Sequence, residues 1–195
     1  MYSEQKFNIP ELKGISKKSV DEHLKLYAGY VKFANLVQEK MKELMSDSEK
    51  NAYLLGELQR RFSFEFNGMR NHEYYFMSLA DGAKPLPADS KLKAQIEKQF
   101  GSFDAWLAQF KAIAMTRGIG WAMLYWDKEM KQLTHAWVDE QHLGQLNSTS
   151  LVLGLDMWEH SFYMDYGTNK KGYVDAFFEN LNWEVIERFF EYANK

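Results

Sequence analysis

The chain has 195 residues, 24 basic and 27 acidic side chains, a formal charge of −3 and no cysteine. Zero cysteine excludes disulfide scaffolds, thiolate metal sites, iron–sulfur clusters and cysteine nucleophiles, and the balanced charge argues against a dedicated nucleic-acid binder. With 46% hydrophobic and 16% aromatic residues there is ample material for a buried core, so a disordered chain is excluded too. No apolar run approaches the roughly 20 residues of a membrane helix, and the opening Met1–Gly14 stretch lacks a basic-then-apolar signal pattern. A soluble cytoplasmic protein without nucleic-acid or membrane partners is expected.

From Lys17 to Met45 there is no proline, and Leu24, Tyr27, Val31, Ala34 and Val37 recur at helical steps, drawing one apolar stripe. Ser46-Asp47-Ser48 offers a turn and an N-cap, and a second proline-free segment runs from Glu49 to Leu79. Two long antiparallel helices fit this pattern. Asn67 and Gly68 lie inside the second one, and a helical glycine costs about 1 kcal/mol against alanine. Either that glycine marks a close approach, or the segment is two helices.

Asp81-Gly82-Ala83-Lys84-Pro85-Leu86-Pro87 breaks any helix and sets a boundary between residues 1–84 and 85–195. Beyond it, Lys91–Phe100 and Phe103–Arg117 predict helices, with Ser102 as N-cap and Gly118-Ile119-Gly120 as a stop. Trp121–Trp126 and Gln132–Val138 are rich in aromatic and β-branched residues and flank a hairpin turn at Asp127–Met130. Ser150–Leu155 predicts a third strand, and Tyr173–Asn180 and Trp183–Ala193 closing helices. The fold class is α+β: an N-terminal long helical hairpin, then a C-terminal domain with a small three-stranded antiparallel sheet flanked by helices.

Five histidines are present. His23 lies on the stripe of the first long helix and His72 on the second. Asp156 precedes His160 by four residues, which lets both face one point on a helix, or lets an aspartate at a strand end meet a histidine past a turn. A single histidine on an apolar helix face is more often a core residue than a ligand, and Asp156 alone reads equally as an N-cap. His135 and His142 read as surface or structural, and Tyr74-Tyr75-Phe76 as core. GxSxG, P-loop, GxGxxG and HExxH motifs are absent, and neither His72 nor His160 carries the Glu-x-x-His spacing of di-iron bundles.

The stretch Leu155-Asp156-Met157-Trp158-Glu159-His160-Ser161-Phe162-Tyr163 resembles the D-x-W-E-H-x-x-Y signature of the iron/manganese superoxide dismutases. Asn71-His72-Glu73-Tyr74-Tyr75-Phe76, Gly118-Ile119-Gly120-Trp121 and Tyr173–Phe177 with Asn182-Trp183 are similar to further segments of that family, in the right order. The resemblance implies that His23, His72, Asp156 and His160 bind one Mn or Fe ion per subunit. It implies that Gln141 hydrogen-bonds the metal-bound solvent, as in the manganese-type branch. In the iron-type branch that glutamine stands four residues before the second-helix histidine, where this chain has Gly68. Trp121, Trp158 and Phe76 would wall the pocket. Glu159 would reach His160 of a partner subunit in a homodimer (or tetramer), with Tyr163 at the same interface.

The first helix departs from the family pattern, because His23 is followed by Tyr27 and Tyr30 one residue short of the usual spacing. Tyr30 is read as the gateway tyrosine and Tyr27 as replacing an outer histidine; in the alternative, Tyr27 fills the gateway. Lys170 stands where an arginine usually lies near the substrate mouth. The implied activity is disproportionation of superoxide to dioxygen and hydrogen peroxide by alternate reduction and oxidation of the ion, which zinc cannot support. The alternative is a non-catalytic metal-binding or scaffold relative. A non-haem oxygenase would prefer two histidines and one carboxylate.

Overall fold

The computed structural model describes residues 1–195. Helix α1 (Lys17–Leu44) starts at Ser16, whose hydroxyl accepts Ser19 N. Its buried stripe is Ser19, His23, Tyr27, Val31, Ala34 and Val37, so His23 and Tyr27 point inward for the same reason the valines do. The turn after it is a short 3₁₀ segment, Met45–Asp47. Ser46 and Ser48 do not cap the second helix: α2 (Ala52–Leu79) begins after Asn51, which makes no side-chain cap bond. It begins later than Glu49 because Asp47 gathers the intervening N–H groups, with its carboxylate near Lys50 N and its carbonyl accepting Asn51 N.

Helix α2 passes through Gly68 unbroken. Of the two readings of that glycine, close approach is the one observed: a Cβ there would lie 2.6 Å from Tyr30 Cε1. The segment between the halves is tied to the far end of the chain, with Lys84 N donating to Leu181 O and Trp183 N to Lys84 O, both at 3.1 Å.

Helices α3 (Lys91–Phe100) and α4 (Phe103–Ala114) follow, and Ser102 caps α4 by accepting Ala105 N. Helix α4 stops at Ala114, short of Arg117, because Met115 closes the turn with N–H bonds back to Lys111 and Ala112 carbonyls. Strands β1 (Gly120–Asp127), β2 (Gln132–Asp139) and β3 (Thr149–Asp156) form an antiparallel sheet in the order β2-β1-β3. The central strand is covered on both faces, which is why Trp121–Trp126 lacks polar alternation.

Three helices close the chain: α5 (Glu159–Tyr166), α6 (Lys170–Glu179) and α7 (Trp183–Ala193). Helix α5 has no counterpart in the sequence reading, and α6 starts three residues before Tyr173, where Asn169 Oδ1 accepts Gly172 N. One apolar core runs through both halves, joining Tyr27, Met69 and Phe76 to Trp121, Leu155, Tyr173 and Phe177.

Candidate metal centre

Four elements deliver four convergent side chains. His23 comes from the inner stripe of α1, His72 from α2, Asp156 from the last position of β3 and His160 from the first turn of α5. Asp156 is neither on a helix nor its cap. The cap is Trp158, whose N–H donates at 2.8 Å to Asp156 Oδ1. That bond, with Ser161 Oγ donating to the Asp156 carbonyl, folds the chain back so that an aspartate on a strand end meets a histidine past a turn.

Asp156 Oδ2 lies 3.1 Å from His23 Nε2, 3.2 Å from His160 Nε2 and 3.4 Å from His72 Nε2. The four ligand atoms all fall within 4.8 Å of one another. His23, His72 and Asp156 are buried, and the His160 side chain is 21% exposed. Burial pushes His72 down to about 3 and lowers His23 as well. Asp156 is subject to the same burial, which acts to raise it, but the imidazoles of His160 and His23 outweigh this and hold it below the ordinary carboxylate range. His23 and His72 are therefore held as neutral imidazoles beside a carboxylate anion.

His72 shows that this arrangement suits a cation. Its Nδ1 lies 2.6 Å from Gly68 O, which can only accept, so Nδ1 carries the proton. Nε2 is then left with its lone pair, fully buried and without a hydrogen-bond partner, aimed at the other three groups. An orphaned buried acceptor costs about 1–3 kcal/mol, and a cation among these donors would satisfy it. Nitrogen donors with one carboxylate oxygen suit a first-row transition metal.

The surrounding side chains are aromatic or amide. Phe76 packs on His23 with centroids 4.9 Å apart, Trp121 meets His72 edge-on at 5.1 Å and Trp158 stacks on His160 at 5.7 Å. Trp121 and Asp156 are cross-strand neighbours, so both side chains share one face of the sheet. Trp121 Nε1 donates to Gln141 Oε1 at 3.0 Å. Indole can only donate, so the amide orientation is fixed and Nε2 is its free donor. Gln141 Nε2 donates to Tyr30 Oη at 3.0 Å.

Tyr27 lies elsewhere. Its hydroxyl accepts Gln5 N at 2.8 Å and donates to Glu73 Oε1 at 3.2 Å, and Glu73 is paired with Arg70 at 2.6 Å. Burial pushes Tyr27 up to about 12 and raises Tyr30 further. Lys170 Nζ stands 3.4 Å from Gly118 O and over the Phe162 ring. Glu159 and Tyr163 are on the surface, Tyr163 60% exposed. His135 and His142 are outside the cluster, against Phe100 and Phe64 respectively.

Two residues near the centre escaped the sequence reading. Asn71 and Gln145 both donate to the Gln141 carbonyl. The sequence offered no more than an asparagine immediately before His72, and nothing that linked either residue to Gln141.

The model for iron/manganese superoxide dismutases, C-terminal domain, matches residues 88–189. Superoxide dismutase (Fe) of Cupriavidus metallidurans is 37% identical over 177 residues, covering 89% of this chain and 87% of the relative. Superoxide dismutase (Fe) of Aquifex aeolicus is 34% identical over 189 residues, covering 94% and 88%. Superoxide dismutase (Mn) of Nocardia asteroides is 37% identical over 176 residues, covering 89% and 83%.

Proposed function

The chain belongs to the iron/manganese superoxide dismutases, and we propose that His23, His72, Asp156 and His160 hold its single Mn or Fe ion. The protein is an enzyme that converts two superoxide ions and two protons to dioxygen and hydrogen peroxide. When bound, the ion supplies the one-electron acceptor and donor. The observation that carries the ligand assignment is the His72 Nε2 lone pair, buried without a partner and facing three further donors.

The side chains then have separate tasks. Three neutral imidazoles and one carboxylate cancel one charge of a di- or trivalent cation, so the site stays positive and draws an anion. Gln141 holds Tyr30 by donating to its oxygen, which leaves the Tyr30 proton free to point into the pocket. Tyr30, raised by burial, keeps that proton at working pH and donates it as a hydrogen bond to departing peroxide, relaying a solvent proton and regaining its own from solvent. Tyr27 braces the N-terminal segment against Glu73 and does not gate the site. Trp121, Trp158 and Phe76 exclude bulk water. Lys170 supplies local positive charge at the mouth, which matters because the net charge of −3 repels an anionic substrate.

The finer assignments belong with this reading. Gln141, with Gly68 in the other glutamine position, favours manganese, although relatives named for either metal match. The exposure of Glu159 and Tyr163 beside His160 supports reading them as interface residues of a homodimer. The division into residues 1–84 and 85–195 and the cytoplasmic location rest on the sequence alone.

Metal analysis of the purified protein, with superoxide consumption measured after reconstitution with Mn and with Fe, tests the whole. One ion per chain and activity with at least one metal are expected. Full metal content in a His72→Ala variant would remove His72 from the ligand set.

A further inference from the structure

Gln141 is fixed from its backbone as well as its side chain. It sits in a turn where Asp139 N and Leu143 N bond each other's carbonyls at 2.9 and 3.1 Å. Glu140 within that turn has φ 52°, a left-handed conformation that costs a residue with a Cβ about 1–2 kcal/mol. Two contacts hold it there: Glu140 N donates to Ile119 O at 3.0 Å, and Trp158 Nε1 donates to Glu140 O at 3.1 Å.

The next carbonyl, that of Gln141, receives Asn71 Nδ2 at 3.0 Å and Gln145 Nε2 at 3.2 Å. Both its lone pairs are therefore filled. Gln145 Nε2 also approaches Asn71 Oδ1 at 3.5 Å, at the edge of hydrogen-bond range. That contact favours one flip state of Asn71: an amide that turns its oxygen to Gln145 turns its NH₂ to the Gln141 carbonyl. Asn71 is 3% exposed, so water cannot readily replace it.

We infer that Asn71 and Gln145 form an amide clamp that positions Gln141 for the reaction. This rests on the reading, implied by the family resemblance, that Gln141 would hydrogen-bond the solvent on the ion and through it set the potential of the centre. The Gln141 side chain bridges Trp121 and Tyr30 through two 3.0 Å bonds, and hydrogen bonds weaken steeply as distance and angle degrade. A backbone shift of a few tenths of an ångström would loosen both. Neither clamp residue is among the four convergent donors; each acts through Gln141.

The test compares Gln145→Ala, Asn71→Leu and Gln141→Ala with the wild type, each as holoprotein reconstituted with manganese. Metal content, reduction potential, visible spectrum of the oxidised centre and turnover are measured. The clamp variants should keep their metal, move potential and spectrum in the same direction as Gln141→Ala, and lose about 10-fold in turnover, the low end for partners that orient a metal's surroundings. Wild-type potential and spectrum in both clamp variants, against a shifted Gln141→Ala, would overturn the clamp and leave the Gln141 reading intact. An unshifted Gln141→Ala would remove that reading and the clamp with it. If Asn71→Leu misfolds or loses its ion, Gln145→Ala, on the half-buried turn, decides by the same readouts.

Discussion

The ring of Tyr30 occupies the space that a side chain at Gly68 would need. A Cβ at Gly68 would fall 2.6 Å from Tyr30 Cε1, so a missing side chain on α2 seats the tyrosine that Gln141 holds. Gly68→Ala gains about 1 kcal/mol of helix propensity but overpacks the site, at a cost of about 1–3 kcal/mol. A net loss of stability and of turnover is expected. In a Tyr30→Ala background the same change should stabilise, and thermal unfolding of the four proteins closes the cycle. Additive effects would show that the two positions do not share this space.

The two tyrosines of α1 should separate by phenotype. Tyr30→Phe removes the acceptor of Gln141 Nε2 and the proton assigned to peroxide, so turnover falls and product inhibition changes while metal content holds. Tyr27→Phe removes the acceptor of Gln5 N, on the part-buried N-terminal segment, and the donor to Glu73 in the interior. It should cost about 1–3 kcal/mol and leave the spectrum of the oxidised centre unaltered. Stopped-flow superoxide decay and urea unfolding measure the two effects. A Tyr27→Phe enzyme with normal stability and impaired turnover would move the gateway to Tyr27.

Loss of one imidazole should be felt as loss of the ion. His72→Ala removes the donor whose orientation Gly68 O fixes, and His160→Ala the one on α5. Both are expected to copurify with little metal. Chelation of the wild type should lower its stability, by about 2.7 kcal/mol for an ion present at a hundred times its dissociation constant. Elemental analysis and thermal unfolding with and without chelator provide the check.

The long helices were readable because burial imposes a period on them, and the strands because they are rich in aromatic and β-branched residues. Helix α5 was not, because it buries only Ser161 and Phe162 and carries no apolar stripe; Trp158 N on Asp156 and Ser161 Oγ on the Asp156 carbonyl set its start. Spacing placed His23 and His72 on helices expected to pack, but left Asp156 between a cap and a ligand; the meeting of β3 with α5 makes Trp158 the cap and sets Asp156 among the three histidines. Gln141 was named through family resemblance. The Asn71 contact to Gln141 spans 70 residues between a helix and a turn and leaves no local pattern.

Glu159 is exposed beside His160 in the single chain, and Tyr163 follows one turn later on the same helix face. A charged residue and an aromatic presented together at the rim of the centre suit contact with a second copy. Glu159→Ala should weaken self-association, seen by sedimentation velocity across a dilution series, and Tyr163→Ala should act in the same direction. Unchanged sedimentation in both variants would overturn the assignment of Glu159 and Tyr163 to a subunit interface.

His135 supplies a pH dependence separate from the metal centre. It packs against Phe100 and Phe110, its Nε2 is buried without a partner, and burial lowers its pKa from the ordinary 6.5. The folded state thus prefers the neutral ring, while the unfolded chain takes up a proton near pH 6.5. Below that pH the unfolded state binds more protons, so stability falls on acidification until the folded pKa is reached, with a slope of at most about 1.4 kcal/mol per pH unit. His135→Leu has no such group and sacrifices no Nε2 hydrogen bond. Urea unfolding at pH 7.5 and at pH 5.5 (about one unit either side of the ordinary histidine value) should show a larger loss in the wild type than in the variant. Equal losses would mean that the ring is charged in the folded protein as readily as in the unfolded one.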